Sequence, residues 1–209
     1  LRSYAFGTGD GTSWADAAPT LTAAMALLTE ERNELWIANT VVSPDNSPTY
    51  TKTFAFKIYG GFDGHENSLA DRYEGTKSSL SGGHKFTTVK VSNSALMEVE
   101  RMVFERSTGQ GYSKTGAGDI AFRECDFYSN TRNINGNVNG RGLHVTGTAG
   151  TTLVALSNCV FRGNGMFTGG GYILGYGAGA YFSSCKRVLL DECLFVTNGV
   201  GLAGAGGSY

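Results

Sequence analysis

Several things are missing from this chain, and each absence narrows what it can be. It has no excess charge of one sign: 17 Lys and Arg stand against 18 Asp and Glu, a net charge of −1 over 209 residues, with no basic run. That argues against a nucleic-acid partner and against an anionic membrane surface. It has no apolar stretch of membrane-spanning length, so no membrane insertion is expected in this segment, and no signal peptide stands in the residues shown. Its four cysteines include no Cys-x-x-Cys pair and its three histidines are scattered, so no zinc site is expected. Neither a leucine-rich nor a helical-repeat signature occurs. Charged residues make up only 17% of the chain while Gly numbers 31, a balance suited to tight corners and Gly-rich loops. Hydrophobic residues, at 41%, suffice for one sizeable domain.

What is present is a nine-residue pattern written four times, beginning at Leu96, Asp119, Leu153 and Arg187. Its first two apolar columns are Met97, Ile120, Val154, Val188 and Val99, Phe122, Leu156, Leu190. A third column holds Met102, Cys125, Cys159 and Cys193, and a fourth holds Phe104, Phe127, Phe161 and Phe195. Three residues further on stand Ser107, Asn130, Asn164 and Asn198. Apolar residues alternate with period two, which means strand. The alternation slips by one residue at a polar pair: Glu100-Arg101, Arg123-Glu124, Ser157-Asn158 and Asp191-Glu192. Two short strands meeting at a bend, repeated, cannot bury their apolar face alone and must stack on their own copies.

These features predict an all-β fold: a right-handed, single-stranded parallel β-helix (a solenoid) with a short N-terminal capping helix. The step from Phe104 to Phe127 is 23 residues, close to the shortest three-strand coil, and the next two steps are 34. The surplus falls in Asn130 to Arg141 and Gly163 to Gly177, whose Gly and Asn content reads as loop. Stacked coils place like side chains in columns of Cys, Phe and Asn. The asparagines suit left-handed backbone, and their amides can donate and accept one coil away. A third strand is expected with Val89, Val91, Leu143, Val145, Ala180 and Phe182 inward. The columnar cysteines read as small buried apolar groups. Stacked neighbours point their Cβ bonds the same way, which suits a disulfide poorly. A link between Cys185 and Cys193 is a weaker option.

An open β-helix must cover its ends. Pro19 to Leu28, with Leu21, Met25 and Leu28 at helical spacing, predicts a short amphipathic helix over the first coil, capped by Asp16 or Thr20. Leu35 to Ala38 reads as the first strand and Phe54 to Tyr59 as a strand of the next turn. The expected division is a cap over residues 1–34 and coils over 35–209. Gly204-Ala205-Gly206 repeats the opening at Gly177-Ala178-Gly179, so the coils are expected to continue beyond Tyr209 as part of a longer protein, or to be covered there by another molecule.

Two groups of residues carry a family resemblance. Gly11 to Ala17, Leu35 to Ala38, Ile58 to Glu66 and Leu80-Ser81-Gly82 resemble the amino-terminal part of secreted bacterial right-handed parallel β-helix proteins. The Phe-x-x-Asn units at Phe127, Phe161 and Phe195, with the Gly-rich openings near Gly142 and Gly179, resemble the repeats of polymorphic outer-membrane proteins. The resemblance implies a large extracellular or cell-surface protein with an adhesive, passenger or matrix role. It carries fold and location further than chemistry.

Parallel β-helices also host polysaccharide lyases and hydrolases, whose chemistry needs carboxylates at outward positions. The third strand offers Lys90, His144 and Tyr181, with no carboxylate, and these are the expected ligand-binding residues, suited to sugar rings. Acidic residues gather instead at Asp63, Glu66, Asp71 and Glu74 beside Arg72, as a solvated loop tied by Asp–Arg pairing or as a calcium site. No other cofactor is expected, and calcium is the one candidate ion. The corner charges Glu100, Arg101, Arg123, Glu124, Asp191 and Glu192 read as an exposed ladder of mixed sign. Gly169 to Gly179 lacks the ending of a phosphate-binding loop and reads as a contact loop with Phe167, Tyr172 and Tyr176 as anchors.

The expected function is a non-catalytic extracellular or cell-surface β-helix module with a structural, adhesive or self-assembly role. Its expected partners are further copies packed end to end or side by side, and a polysaccharide or host-surface ligand. The alternative is a polysaccharide-binding or lyase-type enzyme module.

Overall fold

A computed structural model gives the fold, described for residues 7–39, 48–85, 87–131, 139–148, 150–165 and 176–199. Its strands, numbered in chain order, form three sheets. The first holds β1 (Glu34–Ala38), β3 (Phe56–Phe62), β6 (Met97–Glu100), β9 (Ile120–Arg123), β12 (Leu153–Ser157) and β15 (Arg187–Asp191). The second holds β4 (Ser78–Ser81), β7 (Met102–Glu105), β10 (Asp126–Tyr128), β13 (Val160–Arg162) and β16 (Leu194–Val196). The third holds β2 (Thr49–Lys52), β5 (Val89–Asn93), β8 (Tyr112–Thr115), β11 (Leu143–Thr146) and β14 (Ala180–Ser183). Every pairing is parallel. The chain passes from first sheet to second to third and back, so successive turns stack into a three-sided parallel solenoid.

The polar pairs are corners, and the bend has a definite seat. Arg101, Glu124, Asn158 and Glu192, the second member of each pair, take φ of 53°, 52°, 51° and 49°. One left-handed residue reverses the phase of the alternation, so both flanking strands keep their apolar side chains inside. A second set of left-handed residues follows the second sheet: Arg106, Ser129, Gly163 and Thr197. These stand one place before Ser107 and the three asparagines, so the expectation that the asparagines themselves are left-handed is corrected. The preceding residue makes the bend, which leaves each Asn side chain aimed inward and in register.

The Asn column is a hydrogen-bonded ladder. Asn130 Nδ2 donates to Asn164 Oδ1 at 2.9 Å, and Asn164 Nδ2 to Asn198 Oδ1 at 2.9 Å. The same Nδ2 atoms donate to the carbonyls of Phe104 and Phe127, one coil back, at 3.0 and 2.8 Å. Each Oδ1 also accepts the backbone N–H of the preceding coil, from Ser107, Asn130 and Asn164. Ser107, Asn130 and Asn164 are fully buried. A buried amide is tolerated only when its donors and acceptors are satisfied, and this ladder satisfies them with copies of itself.

Beside it the rings of Phe127, Phe161 and Phe195 stack at 4.6 and 4.5 Å, within 5° of parallel, and Phe104 joins Phe127 at 5.4 Å. The spacing is that of hydrogen-bonded strands. Cys125 and Cys159 are buried in the next column and all four cysteines are free thiols. Their Sγ atoms lie against backbone carbonyls, Cys125 on Arg123 and Cys159 on Ser157, both at 3.3 Å. Burial pushes the Cys125 thiol up, while its hydrogen bond lowers that of Cys159.

The helix α1 (Leu21–Ala26) is N-capped by Thr20, whose side chain accepts from Ala23 N. Asp16, the other candidate cap, instead accepts from Thr8 N and Ser13 Oγ. Leu21, Ala24, Met25 and Leu28 join one apolar core with Leu35, Ile37 and the coil interior.

The third sheet contains a strand that the repeat conceals. Val89, Val91, Leu143 and Val145 are buried, and Ala180 and Phe182 pack partly buried against the core, as expected. Between β5 and β11, however, lies β8, whose inward residues are Tyr112 and Lys114. Lys114 is fully buried in a file between Val91 and Val145. Its Nζ donates to the carbonyls of Gly116, at 2.6 Å, and Gly118. These belong to a corner that only glycine permits: Gly116 has φ of 98°, and Gly118 lies where a Cβ would overlap the backbone of Ala95. The ammonium provides donors for carbonyls at a turn too tight to pair them along the chain. Burial lowers the Lys114 pKa from its ordinary value.

Candidate ligand-binding face

Strand register decides which outward residues become neighbours. Along the third sheet Thr49 pairs with Lys90, Lys90 with Ser113, Ser113 with His144, and His144 with Tyr181. The three sequence-derived site residues therefore share one outward file. His144 and Tyr181 are adjacent, whereas Ser113 separates Lys90 from His144, putting them two rungs, roughly 10 Å, apart. Two residues along each strand runs a second file: Thr51, Ser92, Thr115, Thr146 and Ser183. It consists of hydroxyl side chains from end to end. Its continuity depends on the β8 rung, which the inward Lys114 conceals in the sequence pattern.

The aromatic end of this face is ordered. The His144 and Tyr181 rings stack at 5.6 Å, 10° from parallel, and Tyr176 stacks on Tyr181 at 6.3 Å. Tyr176 is pinned through its backbone: its N–H donates to Asn139 Oδ1 at 2.8 Å, and its carbonyl accepts from Gly140 N at 2.9 Å. Of the expected loop anchors, Phe167 and Tyr172 lie outside the described residues. His144 lies with Nδ1 3.5 Å from Ser113 Oγ and Nε2 3.4 Å from Thr146 Oγ1. Its partial burial lowers its pKa, so the imidazole is neutral at pH 7 and offers one donor and one acceptor. Ser183 Oγ donates to Thr146 Oγ1 at 3.1 Å. The face thus combines a stacked aromatic platform, one cation at Lys90 and rows of hydroxyls, and its outward positions carry no carboxylate.

The acidic stretch is organised differently from the expected Asp–Arg pairing. Glu66 accepts the backbone N–H groups of Asp63, Gly64 and His65 at 2.6–2.9 Å. Asp71 accepts those of Asn67 and Ser68 at the start of a 3₁₀ turn (Leu69–Asp71). These bonds lower both carboxyl pKa values. Arg72 reaches across to Glu100 at 2.7 Å and lies over the rings of Tyr59 and Phe62. No group of three His, Cys, Asp or Glu among the described residues is arranged to hold a metal ion. At the corners Arg101 pairs with Glu124 at 3.0 Å, and Lys77 with Asp126 at 2.6 Å. They form a mixed ladder, each pair adding up to about 1 kcal/mol at the surface.

No helix among the described residues is long and apolar enough to cross a membrane. Comparison with models of protein families, with curated proteins and with solved structures returns no match in any of the three.

Proposed function

We propose that this chain is a non-catalytic module of an extracellular or cell-surface protein, a right-handed parallel β-helix with a structural and adhesive role. Its contact surface is the outer face of the third sheet, and its ligand is an extended polysaccharide lying along the solenoid axis. The observation that carries this reading is the register that aligns Lys90, Ser113, His144 and Tyr181 beside an unbroken row of hydroxyls. A flat platform with hydrogen-bonding groups repeating about every 4.8 Å suits a regular polymer better than a compact substrate. The right-handed sense rests on the strong preference of parallel crossovers for that hand. Self-association belongs to the same proposal.

Co-sedimentation of the protein with insoluble polysaccharides tests the reading. Retention that falls on Tyr181→Ala and His144→Ala, with folding unchanged, is the expected result. Retention indifferent to both substitutions would remove the third sheet from the proposal. An assay of uronate polymers for unsaturated products, with and without calcium, separates it from the lyase alternative. Turnover lost on Lys90→Ala would favour the enzyme.

A further inference from the structure

At the first turn of the molecule, a cleft of about 480 Å³ opens between the N-terminal segment, the end of α1 and β1. That volume lies in the range of small-molecule sites. Both tryptophans of the chain, Trp14 and Trp36, line it. Neither indole is loose. Trp14 Nε1 donates to the Glu66 carbonyl at 2.9 Å, and Trp36 Nε1 to Glu34 Oε2 at 3.2 Å. Phe62 stacks on Trp36 at 4.7 Å, 11° from parallel, and lies 5.4 Å from Trp14. The floor is apolar, from Ala17, Ala18, Leu28 and Leu35.

Two opposite charges, Arg32 and Glu34, line the same cleft and are exposed. No ion pair joins them among the described residues. Arg32 packs against Gly11, where a Cβ would come within 2.9 Å of Nη2. Asp10 acts on Arg32 only through its charge, since its carboxylate accepts from Thr12 N and Oγ1 at 2.9 and 2.7 Å. Glu34 accepts from the Trp36 indole through one oxygen, and it stands opposite Lys57 on β3, on which it acts through its charge. Glu66, which also lines the cleft, is engaged by three backbone N–H groups.

We propose that this cleft binds one pyranose ring of a neutral sugar. The apolar face of the ring lies against the indoles, as aromatic platforms favour. Adjacent ring hydroxyls bridge these two charges, one accepting from Arg32 and one donating to Glu34, in charge-assisted hydrogen bonds. A uronate is disfavoured, because its carboxylate would share the mouth with Glu34. The site stands apart from the third-sheet face, and neither depends on the other.

Because both tryptophans line the cleft, indole fluorescence of the full chain reports on this site directly. The probes are methyl glycosides of glucose, galactose, mannose and N-acetylglucosamine, with methyl glucuronoside as the acidic arm. The expected result is a saturable change with at least one neutral glycoside at a Kd near about 1 mM. Arg32→Ala and Glu34→Gln, both exposed positions, should each weaken it roughly tenfold or more, while His144→Ala and Tyr181→Ala leave it unchanged. The proposal is overturned by the absence of any saturable response below about 10 mM. A response indifferent to Arg32 and Glu34, one lost with Tyr181, or one strongest for the glucuronoside would also overturn it.

Discussion

Two files run the length of this solenoid, one at the inner edge of the second sheet and one on the outer face of the third. The inner file repeats a single residue, Asn130, Asn164 and Asn198, with Ser107 at its head. The outer file changes at every rung: Thr49, Lys90, Ser113, His144, Tyr181. The same parallel register builds both. Inside, each rung must satisfy the polar groups of its neighbours, and the residue that does so at one level does so at all. Outside, water or a neighbouring hydroxyl can satisfy each side chain, so the identity of each rung is free to answer to a partner. Uniformity marks the file that holds the fold, and variety marks the file available for recognition.

Substitutions at the two files should therefore separate stability from binding. Asn164→Ala removes two donors and the acceptor of two more bonds, leaving buried Asn130 and Phe127 groups unpaired. A loss of about 4 kcal/mol is expected by chemical denaturation. Lys114 tests whether an inward file tolerates variety. Lys114→Ala leaves a void, a bare Gly118 carbonyl and a Gly116 carbonyl held only by Thr152 Oγ1 at 3.4 Å, for about 3 kcal/mol; Lys114→Met fills the void and should cost about 1 kcal/mol.

The pH dependence of that pair carries a sign. Burial sets the folded Lys114 pKa below 10.5. Between the two values the unfolded chain binds more protons, so stability rises with pH across the window. Wild type should gain on Lys114→Met as pH climbs there; parallel curves would mean that the ammonium is not desolvated. At the corner, Asn158→Val at φ of 51° should cost about 1–2 kcal/mol, and Asn158→Gly should stay within about 0.5 kcal/mol. Smallest of all, His144→Ala and Tyr181→Ala should move stability by about 0.5 kcal/mol or less. The His144 ring, its pKa lowered by burial, should titrate by NMR below the ordinary 6.5. Its small contribution to stability is present above that ordinary value and diminishes as pH falls toward the folded value.

Spacing alone made the interior legible wherever like residues recur. The Phe and Cys columns needed only a count between repeats, and the polar pairs announced the corners. β8 escaped because an inward lysine breaks the alternation that identifies a strand, although Gly116 and Gly118 beside it show why the lysine is there. The left-handed positions were assigned one residue late, since Asn is the familiar left-handed residue while Arg106, Ser129 and Thr197 are not. The outward face was half legible: Lys90, His144 and Tyr181 read as outward positions, but their order needed the hidden rung. The tryptophan cleft was not legible at all, because its walls come from four separated segments that meet only when the cap folds onto the first strand.

The coils of 23 and 34 residues stack in one register because most of the difference is expelled between the Asn column and the third sheet, eight of the eleven extra residues in one coil and all eleven in the next. There the chain runs from Ser107 to Tyr112 in one turn, from Asn130 to Leu143 in the next, and from Asn164 to Ala180 in the one after. Loop length adds closure entropy only logarithmically. That seam is consequently a natural grafting port: foreign peptides spliced in near Gly109 would ride on the outside of the column while the stack beneath them kept its pitch.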